Sequence, residues 1–237
     1  MHGRMDPMLD FSRYRFLTFD CYGTLIDWET GIFSALRPIL QNHNKNTADE
    51  RVLQLYGDLE LQAEQPYQPY VNVLRAVVRG FGQELGFQPS QEEQDSLPAS
   101  LPSWQPWPDT VQALKKLKSR YQLAIISNVD DDLFAATRPK LSVNFDAIIT
   151  AEQARCYKPG IPIFKLALDR IRVDPSEVLH IGQSVYHDVV PAKSLGMATI
   201  WVNRPSARPG VGAVKAATAT PDWEISDLAT LAAAAVP

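Results

Sequence analysis

Hydrophobic and polar positions along the chain fall into two alternating patterns. Short runs at 15–19, 122–126, 147–150, 178–181 and 198–202 are apolar on both faces, as buried parallel strands are. Between them, residues 109–119, 131–139, 161–171 and 189–195 carry apolar side chains at helical spacing. Pro108-Asp109 opens the first of these stretches and Gly196 closes the last, which are start and stop signals for helices. Parallel strands need long crossovers, so the alternation predicts an α/β fold built on a doubly wound parallel sheet.

One segment breaks the rhythm. From about 29 to about 100 no strand pattern occurs, and helices are predicted around 32–41, 48–62, 70–85 and 91–97. Pro66, Pro69 and Pro89 punctuate them. A Pro- and Trp-rich link at 101–108 (LPSWQPWP) leads back to the sheet. The expected organisation is therefore a core of 1–28 with 101–237 and a helical cap of 29–100, inserted after the first strand.

Composition narrows the class. With 237 residues, 45% hydrophobic and 21% charged, the chain fits a globular protein and excludes collagen, coiled coil and disorder. The net charge of -4 argues against nonspecific nucleic-acid binding, which needs basic patches. No apolar run approaches the roughly 20 residues that span a bilayer. The opening MHGRMDPMLDFSR lacks the apolar core of a signal peptide. A cytoplasmic location is expected. Cys21 and Cys156 are too few for a disulfide framework or a structural zinc site.

The candidate chemistry sits at strand ends, where open α/β sheets bind ligands. The first strand runs into Asp20-Cys21-Tyr22-Gly23-Thr24-Leu25. An isolated Asp-x-x-Gly is more often a turn cap, but the next strand ends in Ser127-Asn128. Tyr157-Lys158-Pro159 follows the third strand, and Gly182-Gln183-Ser184-Val185-Tyr186-His187-Asp188 follows the fourth. Four successive strand ends thus supply a carboxylate, a hydroxyl with an amide, a cation and a second carboxylate. Chance does not account for agreement at all four.

These residues resemble the haloacid dehalogenase superfamily, whose four motifs occur in this order and at about this spacing over nearly the whole chain. The resemblance implies that Asp20 is a nucleophile, that Thr24 and Ser127 steady its carboxylate or the reacting group, and that Lys158 neutralises it. Asp188 becomes the acid of the last motif. A carboxylate nucleophile forms a covalent ester and splits one displacement into two steps. Phosphatases of the superfamily carry a second Asp where this chain has Tyr22, and a magnesium-binding acid where it has Gln183. No metal and no cofactor are therefore expected.

Within the superfamily, Phe19-Asp20-x-Tyr22-Gly23-Thr24-Leu25, Ser127-Asn128, Tyr157-Lys158-Pro159 and Trp201-Val202-Asn203-Arg204 resemble the type II (S)-2-haloacid dehalogenases. Three polar positions of that branch are replaced. Gly57 stands for a cap arginine, Phe164 for a tyrosine, and Val185 for a water-holding asparagine. Residues 19–31 with Ser184-x-Tyr186-His187-Asp188 also resemble the L-azetidine-2-carboxylate hydrolases, which open a strained ring.

The resulting expectation is a hydrolase of the 2-haloacid dehalogenase type, displacing a leaving group beside a carboxylate through an Asp20 ester. A ring-opening hydrolase is the alternative. Behind both stand a magnesium-dependent small-molecule phosphatase and a catalytically silent binding module. His187 is the candidate for orienting the hydrolytic water. Tyr22, Trp28, Asn128, Gln183 and Ser184 are the expected substrate contacts. The partners expected are a small carboxylate substrate and a second copy in a homodimer, with no nucleic acid and no membrane. Trp28 is read as pocket wall or hinge packing, and Tyr56, Tyr67 and Tyr70 as pocket floor or cap core. Cys21 reads as a small buried side chain, Lys115-Lys116-x-Lys118 as a solvated helix face, and His2, His43 and His180 as without catalytic context.

Overall fold

The computed structural model describes residues 9–204, 215 and 217–237; His2 and the start of the chain lie outside them. Six strands, β1 Phe16–Phe19, β2 Gln122–Ser127, β3 Ala147–Thr150, β4 Val178–Gly182, β5 Ala198–Val202 and β6 Trp223–Ile225, form one sheet. Their order is β3-β2-β1-β4-β5-β6 and every pairing is parallel. The order reverses between β1 and β4, and such a reversal opens a ligand crevice beyond the strands' carboxyl ends. Phe19 is in register with both Ile125 and Ile181, so the segments that follow β1, β2 and β4 emerge along one edge. β1 is buried at all of its positions, which explains why its sequence is apolar on both faces.

The helical insertion comprises α1 Trp28–Asn42, α2 Asp49–Ala63, α3 Tyr70–Leu85 and α4 Gln91–Ser100. Local signals set their ends. Asp27 accepts the Thr30 amide at the start of α1, Gly86 takes the left-handed conformation after α3, and Ser90 with Glu93 forms a capping box on α4. The sheet is flanked by α5 Thr110–Lys118, α6 Asp131–Thr137, α7 Ala151–Ala154, α8 Ile161–Ile171, α9 Val190–Ser194 and α10 Leu228–Ala235. The α/β fold with a helical insertion after the first strand is as the sequence predicts. No described helix is long and apolar enough to cross a membrane.

Three features differ from the sequence reading. The helix expected at 189–195 is preceded by a π-helical turn, Val185–Val189. There the Ser184 side chain accepts the His187 amide and the Asp188 carboxylate accepts the Ser184 amide. β6 is only three residues long, with Glu224 exposed. The Ala-rich α10 has almost no polar face to reveal a helical period.

The insertion is joined to the return link by close packing. A Cβ on Gly31 would lie 2.3 Å from the Trp104 ring, so α1 can pass the indole only with glycine there. Gly31→Ala is therefore expected to destabilise the fold by about 1–3 kcal/mol through overpacking, read as a lowered urea midpoint at unchanged slope.

Candidate active site

Asp20 leaves β1 with its amide donating to the Ile181 carbonyl of β4 at 2.9 Å. Its carboxylate is held at both oxygens: Oδ2 accepts from Thr24 Oγ1 at 2.7 Å and Oδ1 from Lys158 Nζ at 2.8 Å. Thr24 Oγ1 in turn accepts the Gln183 amide at 2.8 Å, tying the β1 loop to the β4 loop. Arg204 braces the same loop, donating to the Thr24 carbonyl while its guanidinium pairs with Asp109.

Lys158 Nζ also donates to Asp188 Oδ1 at 2.7 Å. Asp188 Oδ2 accepts the Ser184 amide, and His180 Nε2 lies 3.3 Å from Oδ1. His180 therefore does have context: it links Asp188 to Thr18, 2.9 Å from its Nδ1. Gly182 permits this arrangement, because a Cβ there would lie 2.4 Å from Asp188 Cγ. Asn128 positions the lysine backbone, with Oδ1 accepting the Lys158 amide at 2.7 Å and Nδ2 donating to its carbonyl at 3.2 Å.

The electrostatics separate the two aspartates. Burial lifts Asp20 above its ordinary carboxylate value against the pull of Lys158, and Asp188 adds to the rise. Burial also opposes ionisation of Asp188, but Lys158 and His180 outweigh it and hold that carboxyl well below the usual range. Lys158 is itself buried, yet the two carboxylates raise it above its ordinary value. The ammonium stays charged.

Above this floor opens a small cleft. Every predicted site residue except Thr24 lines it: Asp20, Tyr22, Trp28, Ser127, Asn128, Lys158, Gln183, Ser184, His187 and Asp188. Thr24 sits behind Asp20. Trp28 begins α1, lines the cleft and packs edge-on against Tyr56 of the insertion. Tyr70 reaches the cleft, whereas Tyr56 is buried in the insertion and Tyr67 packs on Tyr157. Cys21 is buried, as expected. Lys118 pairs with Asp146, and His43 with Glu93.

His187, the candidate for orienting the hydrolytic water, cannot also serve as a proton acceptor near neutral pH, because burial pushes its imidazole down to about 4. It is a neutral hydrogen-bonding group, with Nδ1 3.2 Å from Ser184 Oγ and Nε2 without a partner among the described residues.

Sequence reasoning missed two residues that matter. Glu60 on α2 and Glu64, the residue that caps its C-terminus, line the cleft and are buried. Glu60 Oε1 accepts from Tyr70 at 2.6 Å and Tyr56 at 3.0 Å, and Glu64 Oε1 accepts from Asn128 at 3.2 Å. Burial pushes Glu60 up to about 7 and Glu64 well above its ordinary value. The detectable signal was the row Tyr56, Glu60, Glu64, polar groups at four-residue spacing that fall on one face of a helix.

Fold and site together define a hydrolase with a carboxylate–lysine–carboxylate centre at the edge of a parallel sheet. Residues 14–196 match the profile of the haloacid dehalogenase-like hydrolases, and the chain belongs to that family. It is 24% identical over 215 residues to an (S)-2-haloacid dehalogenase of Pseudomonas sp. (strain YL), covering 90% of each chain. It is 33% identical over 113 residues to (S)-2-haloacid dehalogenase 4A of Burkholderia cepacia, covering 46% of this chain and 48% of that one. The structure is similar to that of the L-2-haloacid dehalogenase from Xanthobacter autotrophicus with chloropropionic acid covalently bound. The TM-score there is 0.74 at 22% identity, covering 93% of this chain and 97% of the other.

The raised Glu60 makes stability depend on pH. A carboxyl near 4.5 when unfolded and about 7 when folded stabilises the fold fully below pH 4.5, and that contribution is lost as pH rises through 7. The shift corresponds to on the order of 3 kcal/mol. Glu60→Gln is expected to flatten this decline, with Glu64 still titrating, as read by urea midpoints between pH 4.5 and 8.

Proposed function

We propose that the protein displaces a leaving group from the carbon next to a carboxylate through an ester on Asp20, without a metal ion. The observation that carries this reading is the Asp20 carboxylate, held at one oxygen by Thr24 and at the other by Lys158, at the floor of a small cleft. In the first half-reaction an Asp20 oxygen attacks the carbon, and the bond to the leaving group breaks with its electron pair departing on that group. In the second, water attacks the Asp20 carbonyl carbon. The ester C–O bond breaks, a 2-hydroxy acid leaves with the new oxygen on Asp20, and one proton is released. A halide departs as a stable anion and needs no acid.

The helices of 29–100 act as the cap over a core of 1–28 with 101–237, excluding bulk water from the first step. A magnesium-dependent phosphatase fits poorly. Lys158 Nζ sits between the two aspartates at 2.8 and 2.7 Å, and the Tyr22 hydroxyl is 2.9 Å from Thr137 Oγ1. A hard divalent cation prefers a shell of oxygen anions and water. Ser127 Oγ and His187 Nε2 are buried without partners, which supports roles toward the reacting group and the attacking water. Asp188, ionised and facing the same space, accepts developing positive charge.

Single-turnover hydrolysis of a 2-haloacid in ¹⁸O-water containing EDTA is expected to place label in the Asp20 carboxylate before it appears in product. Label in product alone would rule out the ester, and Asp20→Asn is expected to abolish turnover.

His187→Ala is expected to slow the second half-reaction selectively by tenfold or more. The ester then accumulates and is seen as a mass increase on the intact protein. Unchanged steady-state rate with only free-enzyme mass would remove His187 from the water's positioning.

A further inference from the structure

We infer that Glu60 and Glu64 form a cation-binding subsite, so that the substrate is a small zwitterion carrying an ammonium group beside the reacting carbon as well as a carboxylate. This rests on the Asp20 reading for its chemistry and on separate residues for its specificity. Glu60 lies on α2 and Glu64 caps the C-terminus of that helix, and both line the cleft whose floor holds Asp20. Among the described residues lining that cleft, Lys158 is the only lysine or arginine, and it is already shared by Asp20 and Asp188.

A charge count decides what the space can accept. Asp20 and Asp188 against Lys158 leave one net negative charge before the glutamates are considered. A haloacid anion adds a second, in a setting where like charges within a few ångströms repel strongly. An ammonium carboxylate adds none. Its cationic end can donate charge-assisted hydrogen bonds to the acceptor oxygens of Glu60 and Glu64.

An independent feature points to the other end of the ligand. Ser127 Oγ, in a side chain 1% exposed, lines the same cleft and has no hydrogen-bond partner. A buried hydroxyl left unpaired is destabilising, and a ligand carboxylate oxygen would accept from it. The titratable and charged groups facing the pair are Tyr56 on α2, Tyr70 on α3, and Cys156, Tyr157 and Lys158 after α7, with Asn128 after β2. Tyr56 and Tyr70 both donate to Glu60 Oε1, which fixes that carboxyl toward one side. Burial raises both carboxyls above their ordinary values, so an entering ammonium, which favours the ionised forms, displaces protons to solvent. With an ammonium as leaving group the ester step still balances. The Asp20 oxygen attacks the carbon, the C–N electron pair goes to nitrogen, and carboxylate plus ammonium become ester plus neutral amine.

Calorimetry on the Asp20→Asn protein at pH 7 tests this without turnover. Two pairs of probes differ only in the ammonium: L-azetidine-2-carboxylate against cyclobutanecarboxylate, and L-proline against cyclopentanecarboxylate. The ammonium member of at least one pair is expected to bind tenfold or more tightly, with proton release seen by comparing buffers of different ionisation heat. Adding Glu60→Gln or Glu64→Gln is expected to reduce that preference at least tenfold while (S)-2-chloropropionate binds as well or better. Equal binding within both pairs, no measurable binding of either ammonium probe, or a preference untouched in folded Gln variants overturns the subsite. If a Gln variant does not fold, the preference and proton release of the parent protein decide, and absence of either overturns it. Label in Asp20 from a haloacid without an ammonium preference sinks the subsite and leaves the ester. An ammonium preference without label in Asp20 does the reverse.

Discussion

A lysine buried between two buried carboxylates is the constraint on which the rest of the site depends. An unpaired ion in the interior costs several kcal/mol, and removing one member of such a group leaves the others uncompensated. Lys158, Asp20 and Asp188 come from three separate segments, after α7, after β1 and after β4. They meet at 2.8 and 2.7 Å only because the strands are in parallel register and the order reverses between β1 and β4. The surrounding hydrogen bonds serve that meeting. Asn128 clamps the lysine backbone, Thr24 joins the two acidic loops, and Gly182 leaves room for Asp188.

The same triad treats its two aspartates unequally, and the difference assigns their chemistry. Asp188 has the lysine, the Ser184 amide and His180 about it, so its charge is well satisfied. Asp20 has the lysine and one hydroxyl, and it feels the charge of Asp188. The less satisfied carboxylate is the more basic one, and a more basic oxygen is the better nucleophile at comparable access. Asp20 also faces the cleft. Position and basicity agree.

Much of this was legible in the sequence because the buried strands are nearly pure apolar runs. Any polar residue at their carboxyl ends then stands out, as Asp20 and Ser127 do. The four-motif resemblance supplied the order. Glu60 and Glu64 were hidden by the opposite circumstance. On a helix rich in Asp, Glu and Gln, two more glutamates read as the solvated face, and only the packing of α2 over the sheet edge turns them inward. His180 was passed over because a histidine within an apolar strand looks like an isolated core residue. Its bond to Asp188 depends on how the π-helical turn folds back over β4. The short β6 and the Ala-rich α10 carry too little period to be read at all.

Burial of the glutamate pair also explains how the protein tolerates so much acid in one place. Four ionised carboxylates around a single lysine would repel within a few ångströms, and a fold that required them all charged would lose stability steeply. Desolvation prevents this by keeping Glu60 near neutrality up to about pH 7 and Glu64 beyond its ordinary range. The empty cleft is thus less negative than its composition suggests. Its charge can rise only when a counter-charge arrives, because a cation restores to the carboxylates what the loss of water removed. A helix placed over a nucleophile with protonatable groups on its inner face therefore selects by charge as well as by shape.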